Sequence, residues 1–347
     1  KPESMGIPRF SILATTEEAA PAKRAEDKVS DTFFQKLKGF SSDDLFEFLA
    51  TSIGSLVLVI LIVTSVVLTR GSLAVFGKFG FGFLTGTDWN TSLGSESYGA
   101  LPYILGTLVT AGIAISVGIL ISLGIAIFLS EMAPSFLRSP LSQVIELLAA
   151  VPSVIYGFWG LFVFRFWVRD YLETPLSTYL GWIPVFHGTA TGYDILTAGL
   201  VLSIMIIPTV SSVSKETMMA VPSSQREAAY SIGATRWEVV KLGVLRYGRS
   251  GIFGAAILGL GRAVGETMAV TMVIGGTPGP YVLPTSLLKG GVTLSSLIAT
   301  EFGDATGLHL SALFGLGIVL FLFALVINIF ARLMVWRVFK VTGGIVE

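Results

Sequence analysis

The sequence predicts an all-α integral membrane protein with six transmembrane helices and both termini in the cytoplasm. Three observations predict it. Only 13% of the 347 residues are charged against 52% hydrophobic, and the mean hydropathy is +0.77. A water-soluble domain carries about a quarter charged residues, so most of this chain is unsuited to facing water. Charge-free apolar stretches recur at the length of a bilayer core, about 20 residues of helix, and basic residues concentrate in alternate loops.

Residues 1–50 stand apart as a hydrophilic cytoplasmic tail, with seven of the 23 basic and nine of the 23 acidic residues. To about residue 30 the segment reads as solvated and disordered. Glu17, Glu18, Glu26 and Asp27 speak against a transit peptide. Phe33, Phe34, Leu37 and Phe40 recur at helical spacing and predict a membrane-surface helix over 31–49. Residues 51–340 form the six-span domain, with spans at 51–69, 103–130, 147–164, 195–214, 250–281 and 305–331. The fifth is interrupted by Arg262 and Glu266, and a charge at a helix centre is unfavourable by about 2.5–3.5 kcal/mol. Residues 341–347 are a cytoplasmic C-terminal tail.

With the N-terminus inside, the inner segments hold 17 basic residues and the outer loops five. That split sets the orientation. The outer loops are then 70–102, 165–194 and 277–304, with Trp89, Trp182 and Tyr281 expected at the interface. Residues 294–302 predict a short re-entrant or surface helix.

The composition also excludes functions. There is no cysteine, and His187 and His309 are far apart, so neither a thiolate nor a metal set is supplied. Basic and acidic residues cancel, which argues against a nucleic-acid partner. No nucleoside-triphosphate loop is present; the nearest miss runs from Gly71 to Lys78 with Phe79 where Ser or Thr is required. Gly261 and Gly265 read as helix packing rather than a dinucleotide fingerprint. No nucleophile–base constellation appears, so the chain is not read as an enzyme.

The inner loop 215–249 is the most structured soluble piece. Ser224-Gln-Arg-Glu227 and Thr235-Arg-Trp-Glu238 both fit a capping box, and Gly233 fits a left-handed helix stop. Two short helices joined by a glycine turn follow. A DNA-reading helix-turn-helix is disfavoured because the segment lies between two spans. A plain basic loop obeying the positive-inside rule and a rigid knob docking into a cytoplasmic partner both remain, and the paired caps favour the knob.

Glu227-Ala228-Ala229 followed by Gly233 resembles the EAA loop of binding-protein-dependent ABC importer permeases. The one departure is Val244-Leu245-Arg246, where that family often has proline. The resemblance implies the type I importer permease fold. It implies a coupling helix seated on an ATPase, carried here by Arg226, Glu227, Ala228, Ala229 and Gly233.

Arg262 and Glu266 are four apart, which on an unbroken helix puts them on one face. They are read either as an ion pair locking helices or, preferentially, as lining a substrate path. A guanidinium fork suits an oxyanion. Phosphate keeps an O–H at neutral pH that a carboxylate can accept, whereas sulfate has none, so the pair could admit one and penalise the other. Glu266 could instead only hold Arg262 in place. Pro152-Ser153 is read either as a break that turns Ser153 toward the pathway or as a packing kink. Glu146 reads as interfacial, His309 likewise, and His187 is given no role.

The string 261–270, Gly-Arg-Ala-Val-Gly-Glu-Thr-Met-Ala-Val, is similar to the signature of phosphate ABC-importer permeases, of the PstC rather than the PstA type. Residues 150–157, 124–134 and 76–89 match that family too, and the resemblance covers about 51–340. It implies a pathway through Arg262, Glu266, Thr267 and Ser153 and a place in the bacterial inner membrane. It also implies a heterodimer with a PstA-type permease, two copies of a PstB-type ATPase using ATP and Mg2+, and a PstS-type phosphate-binding protein outside. Beyond these subunits the chain would contact membrane lipid, and it would hold no cofactor itself. The alternatives are a permease for another oxyanion, a secondary transporter or channel, and a structural anchor.

Overall fold

The computed structural model describes residues 42–92, 94–276 and 283–339. The predicted tail, most of the surface helix over 31–49, Tyr281 and the C-terminal tail lie outside the described residues. Contacts divide the chain into two units after Thr64. Helix α1 (Ser42–Phe79) contributes its first part to one unit and its remainder to the other. In the first unit the large side chains from Leu45 to Val63 are exposed apolar surface.

The second unit opens with the end of α1, a single turn α2 (Gly82–Thr85) and a two-residue hairpin of β1 (Trp89–Asn90) on β2 (Ser97–Tyr98). Helix α3 (Leu101–Met132) follows, its last five residues a π-helical turn. Helix α4 (Ser135–Ala149) lies on the surface with no buried residue. Helix α5 (Ser153–Leu180) contains two more π turns, and α6 (Ile195–Met219) returns. Then come α7 (Ser223–Ser231), α8 (Arg236–Val239), a π turn (Val240–Leu245), α9 (Arg246–Gly265) and α10 (Met268–Val273). A short helix α11 (Leu294–Glu301), buried over its first turn, and the long α12 (Gly307–Phe339) close the unit.

Among the described residues, four helices are long and apolar enough to cross a membrane: Leu45–Phe79, Leu101–Met132, Ile195–Met219 and Gly307–Phe330. They correspond to the predicted spans one, two, four and six; the first three contain and outrun their charge-free stretches, and the last lies within 305–331. Two predictions are corrected. The third apolar run, 147–164, is not one helix, because α4 and α5 meet at Pro152 with a 91° bend. Helix α5 instead continues to Leu180, through residues expected in an outer loop. The fifth stretch is broken at Glu266 and is not an uninterrupted span.

The centre of the unit is α6, packed along α3 and α9. Lipid tails are as apolar as leucine, so spans associate by close approach of small residues rather than by hydrophobic burial. Ala111, Ala114 and Gly118 of α3 face Ala198, Gly199 and Ile206 of α6. A Cβ at Gly199 would come within 2.7 Å of Ile113.

At one end of the unit Trp89, Tyr98 and Tyr103 pack edge to edge, and Trp89 is buried rather than interfacial. Trp182 is exposed as expected. Trp89 Nε1 donates to Glu301 Oε2 at 3.0 Å, and His309 Nε2 meets the same oxygen at 2.8 Å. His309 therefore has a defined partner, and the short helix expected over 294–302 forms as α11, capped by the Thr293 box, with its first turn buried and Ala299 and Thr300 exposed.

A second buried polar group ties α5 to α6. Glu173 accepts from Gly192 N at 2.8 Å and Thr197 Oγ1 at 3.0 Å, while Asp194 caps α6 by accepting from Thr197 N at 2.8 Å. Asp194 Oδ2 is buried without a donor. Burial, with the Glu173 carboxylate beside it, pushes the Asp194 carboxyl up to about 8, so a proton stays on it at neutral pH. A raised folded value means stability is fully present below about 3.8, falls as pH rises through about 8, and is level above. Asp194→Asn supplies the same acceptor to Thr197 and a permanent donor to Glu173. We expect its thermal midpoint in detergent to match wild type below about pH 3.8 and exceed it at pH 9. Equal midpoints at both pH values would overturn this assignment of the proton.

Candidate functional site

The first group of residues surrounds the break between α9 and α10. Arg262 lies in the last turn of α9, half-buried. Gly265 ends the helix and Glu266 is extended (φ −70°, ψ 127°), so the two charges do not share one helix face. Among the described residues no ion pair joins them. The reason is local: the Glu266 side chain turns to the next helix, where Oε1 accepts from Ala269 N at 3.3 Å. Its carbonyl is held from α11 by Ser295 Oγ at 2.8 Å. Thr267 occupies the N-cap position of α10, with its hydroxyl donating to Gly265 O at 3.3 Å.

Helix α10 lies against α5. A Cβ at Gly157 would meet Met272 Sδ at 2.7 Å and Ala269 Cα at 3.0 Å, so only glycine allows this approach. Ser153 is the first residue of α5, after Pro152 at the N-cap, and is half-buried. The chain is broken at Pro152, with a 91° bend, rather than merely kinked. One turn later Tyr156 reaches back across the bend, donating to Leu148 O at 2.9 Å. Arg262 lies within electrostatic range of Tyr156. The structure thus gathers Arg262, Glu266 and Thr267 at one helix break, with the first turns of α5 packed on α10 just beyond it.

The second group is α7. Glu227 and Ala228 are exposed, Ala229 is buried and Arg226 is half-buried, so the helix has an outer and an inner face. The Ser224 capping box does not form: Pro222 takes the N-cap position, placing Ser224 inside the helix. The Thr235–Glu238 box does form. Two backbone hydrogen bonds complete the stop of α7: Gly233 N donates to Tyr230 O at 2.9 Å and Ala234 N to Ala229 O at 3.3 Å. Gly233 has φ +80° with open space around it, so its role is conformational. Gly233→Ala is expected to weaken this turn by roughly 1–2 kcal/mol, a factor of about 5–30 in local opening. Faster amide exchange over 223–236 would report it; unchanged exchange would remove the role.

Sequence reasoning missed two partners of this loop. Arg226 pairs with Glu131 at the end of α3, at 2.7 Å, and Lys215 approaches Glu146 of α4 at 3.7 Å. Glu131 lay within a string noted only for resemblance, and nothing in linear spacing links it to a residue 95 positions away. Beside the pair is a cavity of about 620 Å³, lined by Glu131, Pro134, Tyr230, Arg236 and Trp237 among others.

Comparison with known proteins identifies the family of the chain as a whole. The family described as "Binding-protein-dependent transport system inner membrane component" matches residues 118–340. The chain is 45% identical over 328 residues to the phosphate transport system permease protein PstC of Pasteurella multocida (strain Pm70), covering 93% of this chain and 97% of that one. It is 43% identical over 305 residues to the protein of the same name from Haemophilus influenzae, covering 87% and 95%. Among solved structures, a chain of the MetNI methionine ABC transporter in inward-facing conformations is similar at 17% identity and a TM-score of 0.48, covering 67% of this chain and 93% of that one. This chain belongs to the inner-membrane components of binding-protein-dependent transport systems, in the branch whose curated members are phosphate transport system permease proteins PstC.

Proposed function

We propose that this chain is a transmembrane permease subunit of an ATP-driven inorganic phosphate importer. The observation that carries the reading is the likeness to PstC relatives along nearly the whole of both chains. The site chemistry supports it. An arginine with no acid partner among the described residues, at the edge of a broken helix, offers a planar fork of donors to an oxyanion. Glu266 and Thr267 stand at the same break, and Ser153 opens the neighbouring helix.

The reading includes six membrane passages, the broken α9–α10 segment among them, with both termini cytoplasmic. The pathway is completed by a sister permease of the PstA type. ATP and Mg2+ are used by two copies of a PstB-type ATPase, which receives the outer face of α7 around Glu227 and Ala228. A PstS-type protein delivers phosphate from the other side. Within this chain the residues bind and orient the anion; hydrolysis takes place elsewhere.

The test is uptake of labelled phosphate, with and without excess sulfate, in cells that have or lack this chain. Uptake that depends on the chain and resists sulfate is expected. Glu266→Gln removes the carboxylate charge that penalises an anion lacking an O–H and adds an N–H donor, so its uptake is expected to become sulfate-sensitive. Uptake indifferent to the chain would sink the phosphate reading.

A further inference from the structure

One guanidinium joins three elements of the fold. Arg226 of α7 donates from Nη2 to Glu131 Oε1 at 2.7 Å and to Met218 O at 2.8 Å. Its Nε donates to Glu131 Oε2 at 3.2 Å and its Nη1 to Val221 O at 2.6 Å. Glu131 belongs to the π-helical end of α3, Met218 to the last turn of α6, and Val221 to the turn leading into α7. The side chains of Glu131 and Arg226 are 12% and 23% exposed, so water competes little for the pair. Beneath it Ala126, Met218, Val221 and Val244 form a closed apolar cluster. A two-pronged arginine–carboxylate pair fixes angle as well as distance. Neighbouring Glu227 faces the opposite way, into solvent.

We propose that Glu131 is a positioning residue for coupling. By holding Arg226 it locks α7 to the ends of α3 and α6. Force on α7 then reaches those two closely packed helices directly, and not only through the chain connection into α9. Arg226 accordingly acts inside the permease rather than as a contact on the ATPase. The proposal rests on the reading of α7 as the coupling helix.

The test uses the assembled importer in liposomes, with Glu131→Gln as the deciding variant because it keeps the shape and one acceptor while removing the charge. Glu131→Ala and Arg226→Lys grade the effect. This chain has no cysteine, so Ser231→Cys, labelled before the subunits are assembled, carries a single nitroxide at the end of α7. Two quantities are read: nitroxide mobility, and ATP hydrolysed per phosphate taken up. Glu131→Gln is expected to raise mobility and to increase ATP per phosphate roughly fivefold, within the range by which network residues alter coupling. A purely structural role would lower abundance or melting temperature and leave the ratio at the wild-type value. That result, or unchanged mobility, would overturn the proposal. If the wild type takes up no phosphate, the substrate reading fails on its own, while nitroxide mobility still decides whether Glu131 holds α7.

Discussion

Replacing Arg262 by alanine is expected to reduce phosphate uptake by at least about a hundredfold, because hydrogen bonds to charged groups are worth roughly 1.5–3 kcal/mol each and a fork supplies two. The protein itself should survive the change. Glu266 is engaged with Ala269 N and makes no ion pair with Arg262, so removing the guanidinium strands no paired carboxylate. Arg262→Lys keeps the charge without the planar fork, and an intermediate loss of about tenfold is expected. Initial uptake rates in membrane vesicles, normalised to the amount of folded protein, measure both. Uptake within about threefold of wild type in Arg262→Ala would remove this residue from the pathway.

The second large effect concerns the backbone crossing just after α10. Gly275 pairs with Gly291, and Ile274 O accepts from Gly291 N at 3.1 Å. A Cβ at Gly276 would fall 2.0 Å from Gly291 O, a backbone atom that no side-chain rotation can move aside. Gly276→Ala must therefore open the crossing. It is expected to cost about 3 kcal/mol, in the range of the severe single substitutions. A large drop in melting temperature in detergent would register it. Since α10 is tethered at its other end by Ser295 to Glu266, transport should fall as well. An unshifted melt would show that the crossing tolerates a methyl group.

The contrast between these two sites shows what the sequence could disclose. Uninterrupted apolar runs such as 51–69 and 195–214 identify their helices because length and charge-freeness suffice. The run 147–164 misleads because hydropathy carries no direction: the chain turns by 91° at Pro152 while staying apolar. The true helix then continues through Arg165 and Glu173. Arg165 stacks on the rings of Phe166 and Tyr193, and Glu173 is fully hydrogen-bonded inside. Charges sheltered in this way look like loop in a linear reading. Arg262 and Glu266 were visible as unusual charges in an apolar setting, yet their shared-face geometry assumed a helix that Gly265 ends. The Gly233 turn and the Thr235 box were legible because capping is local. The Glu131–Arg226 and Glu301–His309 pairs were not, because each depends on packing between separate helices.

The helical backbone from Arg236 to Gly265 has a mechanical consequence. Through α8, the π turn and α9 it is one hydrogen-bonded rod of 30 residues, about 45 Å at the usual rise. Arg262 stands near its far tip. Beyond Gly265 the ladder is interrupted, and α10 is fastened to α5 and α11 instead. Were the rod displaced at its α8 end, Arg262 would move with it, whereas Glu266 is tied to α10 and α11. The break would then act as a joint, and the spacing between the arginine and its two neighbours would be the coordinate that such a stroke changes.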